Sequence, residues 1–302
     1  MPMGALDQTT TMATFRAAQA KLTAGQWTSG DANKNLELLA GPALQALASA
    51  GIPKPGLVTA DIAGGLGAMF MPDYWVIRGA KALYEQKASG ITDAFVRAKA
   101  ADMYHEARHA EQFFLAARMI AGKQKPTGGG TPVALTDSEQ NLVDKTPTQT
   151  AAGRVLWRAA ESARLTPSEA DAKVLAGWLA DYAGIQAVVD DLSKARKEVA
   201  DLGDKLSDHA VALKIDSPDD CPEAGELVRK QTQLAELTRD WYQRAYRAYL
   251  NQSTEVDAYG VGSQVGGDSA DTVKAQMESY YQSKVATYLD ALTGKYTRAK
   301  CP

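Results

Sequence analysis

Thirty consecutive residues, Thr92 to Ala121, contain neither glycine nor proline and are rich in good helix formers. Such a run commits this part of the chain to one long helix. Met103, Ala107, Ala110, Phe114 and Ala117 recur at spacings of three and four, which predicts an apolar stripe along it, and Gly122 is the expected stop. Inside the run lies His105-Glu106-Ala107-Arg108-His109, which uses two of the 3 histidines in the chain. Positions i and i+4 share a helix face, so His105 and His109 can grip one metal ion together. Glu106, offset by about a quarter turn, can reach a water beside the metal and act as general base. Two histidines and a glutamate so spaced suit the chemistry of a zinc-dependent hydrolase.

A plainer reading is a solvated, salt-bridged helix face. Arg108 favours it, because a cation beside a metal site opposes metal binding.

A catalytic zinc site needs a third protein ligand. The residues after His109 supply no further histidine at close spacing, so the ligand is expected downstream, as a carboxylate. Two segments share a Ser/Thr-Glu-x-Asp-Ala core: Ser168-Glu169-Ala170-Asp171-Ala172 and Thr254-Glu255-Val256-Asp257-Ala258. Glu169 has a local explanation, as the third helical residue of a capping box opened by Thr166 and Pro167. Glu255 has none and is the preferred third ligand, with Glu169 as the alternative and Glu161 or His209 behind it. Glu255 follows a helix in which Tyr242, Tyr246 and Tyr249 share a face. Those tyrosines suit core packing. If the helix borders the metal, Tyr246 or Tyr249 can donate a hydrogen bond to a developing oxyanion. Asp257 can orient a ligating histidine. Gln112 can bind a ligand or the substrate, and Arg108 can meet a substrate carboxylate or pair with Glu111.

The expected fold is mostly α: a zincin-like metal-binding helix with a small β element, plus a long antiparallel helical hairpin. Residues 12–50 read as helices with an N-cap at Ser29 or Asp31, and 51–73 as loop with short strands. Tyr74-Trp75-Val76-Ile77 reads as a strand; it is a core strand or, by similarity to zincin-type hydrolases, the edge on which an extended substrate lies. Residues 1–125 then carry the N-terminal helices, that strand and the metal helix. Residues 126–150, with Pro126 and Gly128-Gly129-Gly130, read as linker or surface loop. Residues 151–302 read as helical, with a coiled-coil-like hairpin over about 185–250 turned at Ser217 to Pro222, and a C-terminal helix completing the metal site.

A net charge of −3 gives no footprint for nucleic acid. No apolar run of about 18 residues predicts a transmembrane span. The first fifteen residues lack a basic region followed by an apolar core, so no Sec-type signal is expected. The protein is then cytoplasmic in its producer unless a specialised route exports it. Cys221 and Cys301 are too few for a disulfide framework and can pair or stay free.

Tyr104 to Gln112 resembles the H-E-x-x-H-x-x-Q signature of metallopeptidase-like domains found with bacterial contractile injection and other toxin-delivery systems. His105, Glu106, His109 and Gln112 stand at its signature positions. The stretch from Tyr246 to Gly262 is similar to a tyrosine-rich Pro-x-Glu-x-Asp-Ala segment of such proteins, with Ser253 in place of the proline. The resemblance covers about fifty residues in three islands, the third being the Trp75–Ile77 strand. It implies a zinc metallopeptidase-type effector of a bacterial secretion or injection system, with Glu255 as ligand, a peptide or protein substrate, and the apparatus or a cognate inhibitor as partner. The alternative is a structural or cargo module of such a system, in which the metal site is structural or decayed and the helical hairpin does the work.

Overall fold

The computed structural model describes residues 4–62, 67–126, 130–145, 151–166, 168–181 and 252–266, with 275 and 279. The hairpin expected over 185–250 lies outside them, as do Tyr242, Tyr246, Tyr249, His209 and both cysteines. The described residues are mostly helical with a small three-stranded sheet, and all but 275 and 279 belong to one compact unit formed by Met1–Ala183 with Gln252–Lys274.

Helices α1 (Thr9–Gln19) and α2 (Ala32–Ser49) come first. Asp31 caps α2 by accepting from the Lys34 N–H at 3.1 Å, satisfying one of the free donors of the first turn. Strands β1 (Gly56–Ala60), β2 (Ala68–Met71) and β3 (Val76–Ala80) follow, then the one-turn α3 (Lys81–Tyr84). The sheet order is β1-β3-β2, with β1 parallel and β2 antiparallel to β3. The strand expected at Tyr74–Ile77 therefore starts two residues late and is central, so it is not an edge. Pro72–Tyr74 form a 3₁₀ turn, and Trp75 adopts a left-handed backbone, φ 52°. That conformation is costly for an aromatic residue. Trp75 is held there by burial against Phe70 and Phe113 and by its indole N–H bond to the Pro53 carbonyl, 3.2 Å. The edge strand packed against the helix that carries His105 and His109 is β2.

Helix α4 (Asp93–Gln124) starts at Thr92, whose hydroxyl accepts from the Phe95 N–H at 3.1 Å. It packs against α2, β2, α6 (Ala151–Ser162) and α8 (Ser253–Gly266). From Met103 to Ala121 every side chain except Arg118 is buried, so this stretch of α4 is enclosed on all sides, without the single apolar stripe expected of it. This rules out the solvated face for His105–His109. Gly122 does not stop α4. The helix runs on to Gln124, and Gly122 makes room for the Leu165 carbonyl, which a Cβ would meet at 2.5 Å.

The expected linker contains helix α5 (Asp137–Lys145). A capping box starts it: Thr136 Oγ1 accepts from the Glu139 N–H, and Glu139 Oε2 from the Thr136 N–H. Glu139 is buried and takes the Lys123 ammonium at 2.5 Å, which binds α5 to α4. Residues 169–181 form α7, capped by Ser168, whose hydroxyl accepts from the Asp171 N–H at 3.2 Å. The cap expected at Thr166 with Glu169 thus moves two residues on.

Candidate metal centre

Three groups converge where α4 meets the first turn of α8. His105 and His109 point their Nε2 atoms at each other, 3.1 Å apart. Glu255 lies across them, with Oε2 3.4 Å from His105 Nε2 and Oε1 3.3 Å from His109 Nε2. His105, His109 and Glu255 form a group of metal-competent side chains whose donor atoms all lie within 4.8 Å of one another. Zinc bonded at about 2.0–2.1 Å in tetrahedral geometry separates its ligand atoms by about 3.3–3.4 Å, so these spacings suit such an ion. Two buried atoms, Glu255 Oε2 and His105 Nδ1, have no hydrogen-bond partner among the described residues. A buried carboxylate oxygen without a donor is costly, and a cation at this point would satisfy it. The donor set fits zinc.

The protons are arranged to suit. Gln112 donates its amide hydrogens to the Thr254 carbonyl at 3.0 Å and to Asp257 Oδ2 at 2.7 Å. Its Oε1 therefore faces His109 Nδ1 at 2.9 Å as an acceptor. That puts a proton on Nδ1 and leaves the Nε2 lone pair directed at the centre. His105 has no such partner among the described residues. Its Nδ1 looks toward Gly262, where a Cβ would lie 3.3 Å from His105 Cβ, so the glycine allows α8 to close on α4.

Burial alone would raise the Glu255 carboxyl, but His109 and His105 outweigh it and hold Glu255 well below the usual carboxylate range. Burial opposes a charged His109, yet the Glu255 carboxylate overrides it and raises its pKa to about 9. Glu106 stands beside this group, 9% exposed, and its Oε2 accepts from the Phe70 N–H of β2 at 2.7 Å. Burial pushes the Glu106 carboxyl up, against the pull of His105, His109 and that N–H. A carboxylate with a raised pKa is a better base near neutral pH.

The remaining residues singled out in the sequence are placed as follows. Asp257 touches neither His105 nor His109. It receives Gln112 and the Arg108 guanidinium, so it reaches His109 only through Gln112. Arg108 is 1% exposed and turned away from the three ligands, so it is not available to a substrate carboxylate. It pairs with Glu111 at 2.6 Å, Asp257 at 2.7 Å and Asp7 at 3.3 Å, and lies over the Trp178 ring at 5.5 Å. The conflict its charge posed for a metal disappears, because three carboxylates absorb it. Glu169 is 87% exposed and paired with Lys173, and Glu161 pairs with Lys125 at the surface, so neither joins the centre. Sequence reasoning missed Tyr259, whose ring centroid lies 4.4 Å from that of His105. Its position four residues after Glu255, on the same face of α8, was the available signal.

Comparison of the chain with family models, with curated proteins and with solved structures produced no match. Among the described residues no helix is long and apolar enough to cross a membrane.

Proposed function

We propose that the protein is a zinc-dependent, zincin-like hydrolase of peptide bonds. The observation that carries this reading is the convergence of His105, His109 and Glu255 with the buried carboxylate of Glu106 beside them. His105, His109 and Glu255 would hold the ion. When bound, zinc polarises a carbonyl and makes a neighbouring water acidic enough to lose its proton near neutral pH. Glu106 takes that proton as the water oxygen attacks the carbonyl carbon, and delivers it to the amide nitrogen as the C–N bond breaks. Phe70, through its N–H, fixes one oxygen of Glu106 and aims the other. Gln112 keeps His109 in the tautomer that offers Nε2. The resemblance to domains of contractile injection systems supports a delivered effector with a protein substrate and a cognate inhibitor or the apparatus as partner.

A second reading is a structural metal that staples a cargo or scaffold module. It is favoured by the burial of the centre, whose four residues are each at most 9% exposed. Glu106→Gln separates the two. The amide oxygen still accepts from Phe70, and the three ligands are untouched. In a hydrolase this variant keeps zinc and loses peptide cleavage by about a hundredfold or more. Full cleavage with zinc retained would remove the hydrolytic mechanism, and no cleavage by either protein would favour the structural metal.

A further inference from the structure

Resting on that reading of His105, His109 and Glu255 as metal ligands, we infer that Arg108 is a positioning residue of the metal centre, acting through Asp257 and Gln112 on the His109 imidazole. The path is continuous in hydrogen bonds. Arg108 Nε and Nη2 grip both oxygens of Asp257, at 2.7 and 3.2 Å. The same Asp257 Oδ2 accepts from the Gln112 amide at 2.7 Å, and Gln112 Oε1 meets His109 Nδ1 at 2.9 Å.

Each link removes an alternative. A carboxamide can flip, exchanging acceptor for donor. Were Gln112 flipped, its NH₂ would face Nδ1, move the ring proton to Nε2 and block the atom that must bind the ion. Two acceptors, Asp257 and the Thr254 carbonyl, prevent the flip. Asp257 alone would be free to rotate, being 28% exposed, but the two-point contact with a guanidinium fixes its plane. The contact also spans the two elements of the site. Asp257 is two residues from Glu255 on α8, and Arg108 is next to His109 on α4, so one ion pair sets the distance between the third ligand and the first two. A lysine offers a single point charge and cannot make the two-point contact. Arg108 is itself held: Glu111 takes Nη1, and the Ala5 and Leu6 N–H groups fix Glu111 from the other side.

The test compares two changes to the same buried cluster. Asp257→Asn breaks the path to His109. Glu111→Gln weakens the grip on Arg108 but leaves the path intact. Zinc affinity is read by chelator competition, and the His109 Nδ1 proton by ¹H–¹⁵N NMR of the zinc-loaded protein. The inference expects Asp257→Asn and Arg108→Lys to lose zinc affinity by about ten- to hundredfold, with a displaced or exchange-broadened Nδ1 proton. It expects Glu111→Gln to unfold more easily yet keep wild-type affinity and the wild-type Nδ1 signal. Gln112→Met, which removes the acceptor without touching the ion pairs, reproduces the affinity loss and serves if Arg108→Lys does not fold. Wild-type affinity and an unmoved Nδ1 proton in Asp257→Asn and Gln112→Met would overturn the inference while leaving the metal reading in place. A wild-type protein that takes no zinc would overturn both.

Discussion

Replacing Arg108 with methionine should strongly destabilise the described core. It removes four charged contacts, at 2.7 and 3.2 Å to Asp257, 2.6 Å to Glu111 and 3.3 Å to Asp7, while roughly keeping the buried volume. Asp257 and Asp7 are 28% and 17% exposed and can turn partly to water. Glu111, at 1%, cannot, and among the described residues keeps the Ala5 and Leu6 N–H groups alone. Removing one side of a buried pair costs about 3–5 kcal/mol, because the other charge stays behind. For a unit of about 200 residues, where each kcal/mol moves the midpoint by roughly 2–4 °C, Tm falls by roughly 6–20 °C. The penalty has a pH signature. Burial already raises the Glu111 carboxyl against the pull of Arg108, and losing Arg108 raises it further. An acid whose folded pKa exceeds its unfolded value binds more protons when folded, so stability is lost as pH rises above the unfolded carboxylate range. The deficit is therefore smaller at about pH 5 than at about pH 8. Adding Glu111→Leu removes the stranded charge and recovers part of the loss, since apolar replacement of a whole buried pair is often near neutral. Urea unfolding of metal-free protein at both pH values measures this. A loss under about 1 kcal/mol, or a deficit that grows toward acid, would refute the reasoning.

Glu255→Ala should cut zinc affinity at least as far as loss of an outer-shell partner does, about ten- to hundredfold, while Glu169→Ala leaves it unchanged; chelator competition on both variants checks this. Zinc affinity should rise with pH toward about 9, because the ion must displace the proton that Glu255 holds on His109, and titrations at several pH values will show a flat profile if it does not. Thr92→Ala should cost about 1 kcal/mol in urea unfolding by removing the cap on Phe95 N–H at the start of α4. Gly122→Ala should destabilise the unit, since the new methyl meets the Leu165 carbonyl at 2.5 Å and backbone must move; an unchanged Tm would show that α4 and the 163–165 segment are not in contact there.

What could be read in the sequence follows from whether a signal was local. The long helix carries its signature in its own residues, from the Thr92 cap through an uninterrupted run of helix formers. Glu255 is reachable by contrast with Glu169, although the capping box expected to occupy Glu169 does not form: Ser168 caps α7, and Glu169 pairs with Lys173 at the surface. The fate of Arg108 is not local. Only Glu111 lies nearby in the chain, whereas Asp7 and Asp257 are about a hundred and a hundred and fifty residues away and no spacing rule connects them. The strand shifted because β-propensity at Tyr74 and Trp75 yielded to Pro72, which starts a 3₁₀ turn, and to the pocket formed by Phe70 and Phe113 that takes the indole. Helix α5 was hidden by the glycines before it, although Thr136-Asp137-Ser138-Glu139 spells its capping box. The apolar stripe on α4 understates its burial because the polar residues of its middle turns are buried as well. Here Arg108, Glu111, Gln112 and both histidines face inward, each with a partner supplied by another element or by α4 itself.

The central claim is that His105, His109 and Glu255 hold one zinc ion, and the metal content of the purified protein tests it most directly. Elemental mass spectrometry on protein prepared without added zinc, beside His109→Ala prepared in parallel, should return about one zinc per wild-type chain and a small fraction of that in the variant. No metal in the wild type, even after zinc is supplied, or equal zinc in both proteins, would contradict it.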